Sequence, residues 1–384
     1  MEFIESAHEQ ELRNAVRAVV HSFGEQYYAR KAAAGEHPKE VWKALGESGF
    51  VGVNLPEEYG GGGGGIADLA LVVEASASAG CPLLLLLVSS AISGEVLARY
   101  GTDEQRERWL PSLANGSTKI VFAITEPDAG SNSHNISTTA EKDGDTWILR
   151  GTKYYISGVD EAAAILVVAR TGTDERNGRA QLSLFIVDVD TPGLVRQTLP
   201  VAAQLAETQS TLFFDEVRVG ADRLVGAEGE GLAQVFHGLN PERITGAAVA
   251  VGIGRYAIDR AAEYARTRRV WSVPIGAHQA IAHPLAKAKI EVETAALMTA
   301  RAAWLHDQGL PAGEASNMAK YAAAEAAMAA CNAAIGAHGG NGMSVEYGLV
   351  PLWELARTLQ IIPVSREMIL NFVSEHSLGL PKSY

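Results

Sequence analysis

Cysteine is scarce. Only Cys81 and Cys331 occur in 384 residues, far apart and without metal-type spacing. This excludes a disulfide scaffold and a zinc ribbon, and it favours a reducing, cytoplasmic setting with no bound metal. Long apolar runs are also missing. The longest, residues 81–92, falls short of the ~20 residues a bilayer span requires, so it reads as a buried core helix and no membrane insertion is expected. Residues 1–10 are charged and carry no apolar signal segment. Bases are outnumbered by acids, 32 to 45, giving a net charge of -13 and arguing against nucleic acid or an anionic membrane as partner. What is present is a globular composition, 47% hydrophobic and 20% charged, in a chain long enough for two or three domains.

Hydrophobic periodicity divides the chain into three sections. Residues 1–118 read as helical: Leu12, Val16, Val19 and Val20 recur at helical spacing, and Trp42, Leu45, Phe50 and Val51 mark a second helix. Six glycines, Gly60 to Gly65, read as a flexible surface loop. Across residues 119–228 the period shortens. Runs at 120–124, 146–149, 154–157, 164–168, 182–189 and 211–214 alternate with turn signals such as Asp143-Gly144 and Pro192-Gly193, which predicts an antiparallel barrel or sandwich. Residues 229–384 return to the helical period. A stripe through Ile244, Ala248, Val251, Ile258 and Ala265, followed by alanine-rich stretches at 295–303 and 318–334, predicts a C-terminal four-helix bundle.

Two nucleotide-like patterns lack the context their mechanism needs. Gly252-Ile253-Gly254 lies inside a helical stripe with no strand before it, and no Lys-Ser/Thr follows the polyglycine. A more informative segment is Thr125-Glu126-Pro127-Asp128-Ala129-Gly130-Ser131-Asn132, where hydroxyls and turn amides sit at the end of a β run. From the residues alone it is either a surface turn or a site for a planar, polar-edged ring. Asp128, His134 and His237 have no partner at motif spacing, and each reads as a surface or packing residue.

That segment resembles the Thr-Glu-Pro-x-Ala-Gly-Ser-Asp signature of the acyl-CoA dehydrogenase family. Four further segments resemble the family's motifs in the family's order: Leu55 to Gly60, Gly151 to Gly158, Arg268 to Gln279, and His338 to Met343 with Glu346-Tyr347. The likeness spans nearly the whole chain. It implies a helical, β, helical-bundle fold that binds FAD. By position it implies Thr125 and Ser157 at the flavin edge, Tyr155 against the ring, and Ser131 beside the acyl-CoA. Arg268, Gln279 and the backbone at Gly339 and Gly340 would reach the FAD of a neighbouring subunit. Trp271 takes the family's Phe place within that third motif, and Ser365 matches a Thr that touches FAD. A site shared between subunits implies a homo-oligomer, in this family usually a homotetramer. Where the family has other residues, Asn132, Gly336, Ser272 and Val273 imply weaker cofactor binding.

The resemblance also exposes a gap. Aligned at Arg357, the position of the family's usual catalytic Glu is Pro363, which has neither carboxylate nor N–H. Some members carry the base in a Glu-Arg pair on an earlier helix, and Glu242-Arg243 stands at that place, with Arg243 as orienter. Asn240-Pro241-Glu242 also resembles a helix start, in which Glu242 would serve the helix dipole instead. The implied activity is α,β-dehydrogenation of an acyl-CoA to the 2-enoyl-CoA, with Glu242 taking the α-proton, a hydride passing to flavin N5, and an electron-transfer flavoprotein as acceptor. Alternatives on the same fold are a dehydrogenase of a carrier-protein-bound acyl thioester, a flavin monooxygenase or oxidase, and a non-catalytic member of the family.

Overall fold

The structure, a computed structural model, describes residues 5–24, 26–174 and 178–382. The N-terminal section contains α1 (Ala7–His21), α2 (Tyr27–Ala34), α3 (Lys39–Glu47), α4 (Ile66–Ser78), a π-helix (Leu86–Gly94), α5 (Glu95–Tyr100) and α6 (Asp103–Ala114). Helix α1 starts where a capping box directs it: Ser6 Oγ accepts from Glu9 N–H, and the Glu9 carboxylate accepts from Ser6 N–H. It buries Leu12, Val16 and Val20. The apolar run at 81–92 is buried as expected, although its helical part has the wider π geometry.

The six glycines do not form a flexible loop. The N–H groups of Gly61, Gly62, Gly63 and Gly64 donate to the carbonyls of Pro56, Gly52, Leu55 and Val53. A Cβ on Gly61 would stand 2.2 Å from the Leu55 carbonyl oxygen. The composition signals backbone packed on backbone, an alternative use of glycine to chain mobility.

The central strands are β1 (Ile120–Ala123), β2 (Thr139–Asp143), β3 (Thr146–Ser157), β4 (Ala164–Thr173), β5 (Ala180–Asp188), β6 (Leu194–Leu199), β7 (Gln209–Gly220) and β8 (Leu224–Val225). They form one sheet in the order β6-β7-β3-β2-β4-β5-β8, with β1 also on β4. The sheet is mixed rather than antiparallel throughout, because β1 and β2 both pair in parallel with β4. The runs at 146–149 and 154–157 belong to one long strand, β3. Period-2 alternation gives β4 two cores. Ile165, Val167 and Ala169 enter the main core with Phe185 and Val187 of β5, while Ala164, Leu166 and Val168 face a second core with Val96, Leu97 and Leu110 of α5 and α6. Burial on both faces explains why this strand is a continuous apolar run.

The C-terminal section contains α7 (Gly231–Thr267), α8 (Gln279–Asp307), α9 (Gly313–His338), α10 (Leu349–Leu359) and α11 (Arg366–Phe372). Helices α7, α8 and α9 pack on one another, and α10 lies against α9 and α7 to complete the bundle. Helix α4 joins from the N-terminal section, and the buried Glu74 carboxylate on α4 pairs with Arg13 of α1 and Arg255 of α7. Gly252 and Gly254 have packing roles within α7. A Cβ on Gly252 would sit 2.5 Å from Ala77 Cβ on α4, and one on Gly254 would sit 2.6 Å from Val292 Cγ2 on α8. Gly252→Ala is therefore expected to destabilise the fold by about 1–3 kcal/mol, despite alanine's better helix propensity. Urea unfolding with an unchanged m-value would check it.

Candidate active site

The motif at 125–132 occupies a gap in the sheet. Strands β1 and β2 lie end to end along the same edge of β4, β1 pairing at Ala164 to Val167 and β2 at Arg170. Between them the chain leaves the sheet as the excursion 124–138, which is tied back at its base. Glu126 is buried, and its carboxylate accepts from Ser137 N–H and Oγ–H at 2.7 Å, Thr138 N–H at 3.0 Å and the buried Lys153 ammonium at 2.9 Å. Lys153 also donates to the Ile124 carbonyl at 3.1 Å, and Tyr154 N–H donates to the Thr125 carbonyl at 2.8 Å. Burial opposes the charged form of Glu126. Lys153 and these donors outweigh it and hold the carboxyl at about 2. Burial draws the Lys153 ammonium down to about 8. The Glu and the Lys of two separate motifs thus form one internal clamp that fixes Thr125 against β3. Sequence reasoning left both residues without a role, and their only signal was membership of a motif.

Immediately past Lys153 the register with β7 shifts, and Tyr155 takes a left-handed backbone conformation, φ 57. A bulge of this kind re-aims side chains. Tyr155 is left 55% exposed, edge-on to Tyr154 at 4.5 Å. Ser157, at the end of β3, donates to Gln209 Oε1 at 3.0 Å. Thr125, Tyr155 and Ser157 therefore lie on neighbouring segments of one sheet region, and Ser131 is exposed on the excursion beside them.

Helix α7 overturns one expectation. It runs unbroken from Gly231 through Pro241, so Asn240 is not its N-cap and Glu242 is the twelfth residue of the helix. That is beyond the reach of the helix dipole, whose effect is confined to the first turn. Glu242 keeps some accessible surface, yet it is enclosed closely enough that burial raises its carboxyl to about 7 against the pull of Arg243 and Lys320. Among the described residues its carboxylate has no hydrogen bond or ion pair. Arg243 does not grip it: its Nη1 donates to Asn240 Oδ1 at 3.3 Å and to the Leu239 carbonyl at 3.5 Å, so its influence on Glu242 is through charge alone.

The segment carrying Pro363 lies on the same helical face. Pro363 Cδ stands 3.6 Å from the Cβ position of Gly246, one turn beyond Glu242, and Leu87 of the π-helix stands at 3.8 Å. Lys320 of α9 is buried, and its ammonium donates to the Val364 carbonyl. Burial lowers Lys320 to about 8. Lys320 was not anticipated from sequence, since a lysine in an alanine-rich helix carries no motif. Ser365 caps α11, its Oγ accepting from Met368 N–H at 3.3 Å.

Arg268, Trp271, Gln279, Gly339 and Gly340 gather elsewhere. Arg268 ends α7, Trp271 is 75% exposed on the following loop, and Gln279 opens α8. Among the described residues no side chain caps α8, and although the Ile281 and Ala282 N–H groups donate to the His278 carbonyl, those of Gln279 and Ala280 are left over, an arrangement suited to an anion. His278 Nε2, next to them, is buried without a partner. Gly339 and Gly340 lie at the end of α9, where a Cβ would meet nothing within 4 Å. They are held to the same end of α7 by Tyr264, which stacks on His338 at 4.2 Å and accepts from Asn341 Nδ2. At 1.5 Å per residue this end of α7 lies roughly 39 Å from Glu242.

Three family models match: the acyl-CoA dehydrogenase N-terminal domain over residues 6–117, the middle domain over 121–217 and the C-terminal domain over 229–378. The chain is 54% identical over 384 residues to acyl-CoA dehydrogenase FadE12 of Mycobacterium tuberculosis, covering 100% of this chain and 99% of that protein. Among solved structures, a glutaryl-coenzyme A dehydrogenase in complex with glutaryl-CoA is 31% identical with a TM-score of 0.92, covering 100% of this chain and 98% of that one. Butyryl-CoA dehydrogenase from Megasphaera elsdenii is 27% identical with the same TM-score, covering 99% and 100%. With the excursion between β1 and β2, the bulge at Tyr155 and the helical bundle all in place, the chain belongs to the acyl-CoA dehydrogenase family.

Proposed function

We propose that the protein is an FAD-dependent acyl-CoA dehydrogenase in which Glu242 removes the α-proton of an acyl thioester to give the 2-enoyl-CoA. The observation that carries this reading is the environment of Glu242: a carboxyl raised to about 7 by burial, with no hydrogen-bond partner among the described residues, on the helix face that Pro363 approaches. A carboxylate base is effective when its pKa lies near the working pH and its oxygens are not occupied by other donors. Arg243 and Lys320 stabilise the charged form, so the base is ready to accept a proton at neutral pH.

The exposed Tyr155 and the hydroxyls of Thr125 and Ser157 offer a face and an edge for a planar heterocycle. The anion-suited end of α8, with Arg268, Gln279, Gly339 and Gly340, offers a place for a diphosphate, and the orphaned His278 Nε2 is consistent with a polar ligand there. FAD, when bound, supplies the hydride acceptor at N5. The cofactor site is taken as shared between copies of the chain, since the end of α7 beside Arg268 lies roughly 39 Å along the helix from Glu242, and a homotetramer is the proposed assembly. An electron-transfer flavoprotein is the proposed acceptor of the electrons, and Ser131 is placed beside the acyl-CoA. Trp271 and Ser365 are assigned to cofactor contact by the same reading.

Anaerobic titration of the purified yellow protein with a panel of short, long and branched acyl-CoAs tests the proposal. Loss of the flavin absorbance with one class is the expected result and identifies the substrate group. A bound flavin that no acyl-CoA bleaches would refute it in favour of a carrier-bound substrate or an oxygen-using enzyme.

The pH dependence of turnover follows from Glu242. The carboxylate is the active form, so the rate should rise with pH through about 7 and level off above it. A flat profile from pH 6 to 8 for a reaction limited by proton abstraction would count against Glu242.

A further inference from the structure

A second cluster of ligand-type side chains contains none of the residues assigned above. Glu95 opens α5 directly after the π-helix, His237 lies on α7, and His306 is the penultimate residue of α8. One ligand atom from each lies within 4.8 Å of the other two. The two imidazole rings are 5.7 Å apart and tilted by 44°. Among the described residues neither ring nitrogen of either histidine makes a hydrogen bond or ion pair.

We propose that Glu95, His237 and His306 form a three-ligand site for a divalent transition cation of the zinc class, bracing α5, α7 and α8. Two imidazoles and one carboxylate are a ligand set that suits zinc, which binds them at about 2.0–2.2 Å in a tetrahedron whose fourth position water can take. Closing the three atoms around an ion requires side-chain rotation on the order of an ångström, within the reach of Glu and His rotamers. The surroundings agree with the assignment. One Glu95 carboxylate oxygen accepts from Asn54 Nδ2 at 2.6 Å, an outer contact that orients the ligand. Asp307 adds negative charge beside the cluster, with its two oxygens engaged by the N–H groups of Ile66 and Ala67. Arg99 is the opposing charge, and its guanidinium lies over the Tyr100 ring at 5.8 Å.

The site connects three elements, of which α7 and α8 are also tied by the Arg255–Glu293 ion pair farther along the bundle. It also lies one and a half turns before Glu242 on α7, about 7.5 Å along the axis. Pro241 has no N–H to give to the His237 carbonyl, so the helix lacks one internal bond at this level, and a cation there would restore a tie.

The test uses the flavin-loaded, full-length protein, stripped with a chelator, dialysed against Zn²⁺ and then against metal-free buffer, with retained zinc measured by mass spectrometry. About one zinc per chain is expected, falling to near zero in both His237→Gln and His306→Gln and unchanged in His283→Gln, a histidine outside the cluster. Substitution by Co²⁺ should give the strong visible absorption of tetrahedral cobalt in the unmodified protein, a readout that does not depend on the variants folding. Failure of the unmodified protein to retain zinc, or equal retention in His237→Gln and His306→Gln, would overturn the site.

Discussion

Glu242→Gln is expected to lower turnover by roughly 10²–10⁴-fold while the purified protein stays yellow. The amide keeps the size and shape of the side chain, so packing on α7 is preserved, but it cannot accept the α-proton. FAD binding should survive because none of the residues proposed to hold it depends on Glu242. The substitution separates the two roles the sequence left open for this residue. A helix-end stabiliser would lose a few tenths of a kcal/mol and no activity, and the position of Glu242 deep in α7 already removes that role. Stopped-flow measurement of flavin bleaching with a substrate identified by titration gives the chemical step directly. Near-normal bleaching by the variant would exclude Glu242 as the base. The α-proton would then need a different acceptor, and Lys320, whose ammonium donates to the Val364 carbonyl, would be a group to test.

Lys153→Met is expected to have the largest effect on stability, a loss of about 3–5 kcal/mol. The ammonium is fully buried and compensates the equally buried Glu126 carboxylate, and removing it leaves a charge whose remaining partners are backbone and hydroxyl donors. Replacing both partners, Glu126→Gln with Lys153→Met, should cost less than Lys153→Met alone, because no buried charge is then left unmatched. Urea unfolding of the three proteins checks the order. The damage should also reach the site. Lys153 ties the Ile124 carbonyl to β3, so its loss frees the excursion carrying Thr125 and weakens flavin retention on gel filtration. The pH dependence has a definite sign. Glu126 is held at about 2, below its ordinary value of 4.5, so its contribution is complete above about 4.5 and is lost as pH falls from there toward 2. The Glu126→Gln variant should therefore lose less stability than the unmodified protein across that acid range.

Much of the fold was legible in the sequence because it rests on periodicity. Helix α1 followed from apolar residues at helical spacing, and β4 and β5 from short β-type runs between turns. Where local signals are weak, prediction failed for identifiable reasons. Strand β6 carries Arg196, Gln197 and Thr198 on a mostly exposed edge, so it lacks the apolar alternation that marks a half-buried strand. The polyglycine segment read as mobile because composition cannot tell a glycine needed for freedom from one needed for close approach. That distinction lies in the carbonyls of Val53 and Leu55.

The sequence by itself determined the three-part order of helices, sheet and bundle, the family, and the residue types available for the chemistry, since these follow from period and from motifs contiguous in the chain. The tertiary structure alone decided which of those residues meet. It paired Glu126 with Lys153 across 27 positions, set Pro363 over the face of α7 that carries Glu242, and brought His237 to His306 and Glu95. It also carried α7 straight through Pro241, which a local cap signal had marked as a beginning. The physical reason is common to all four. Capping and turn preferences are worth about one kcal/mol each, whereas burial of the faces of a 37-residue helix and satisfaction of a buried charge are worth several times that. Burial and charge pairing depend on neighbours distant in sequence, which no local pattern of residues encodes.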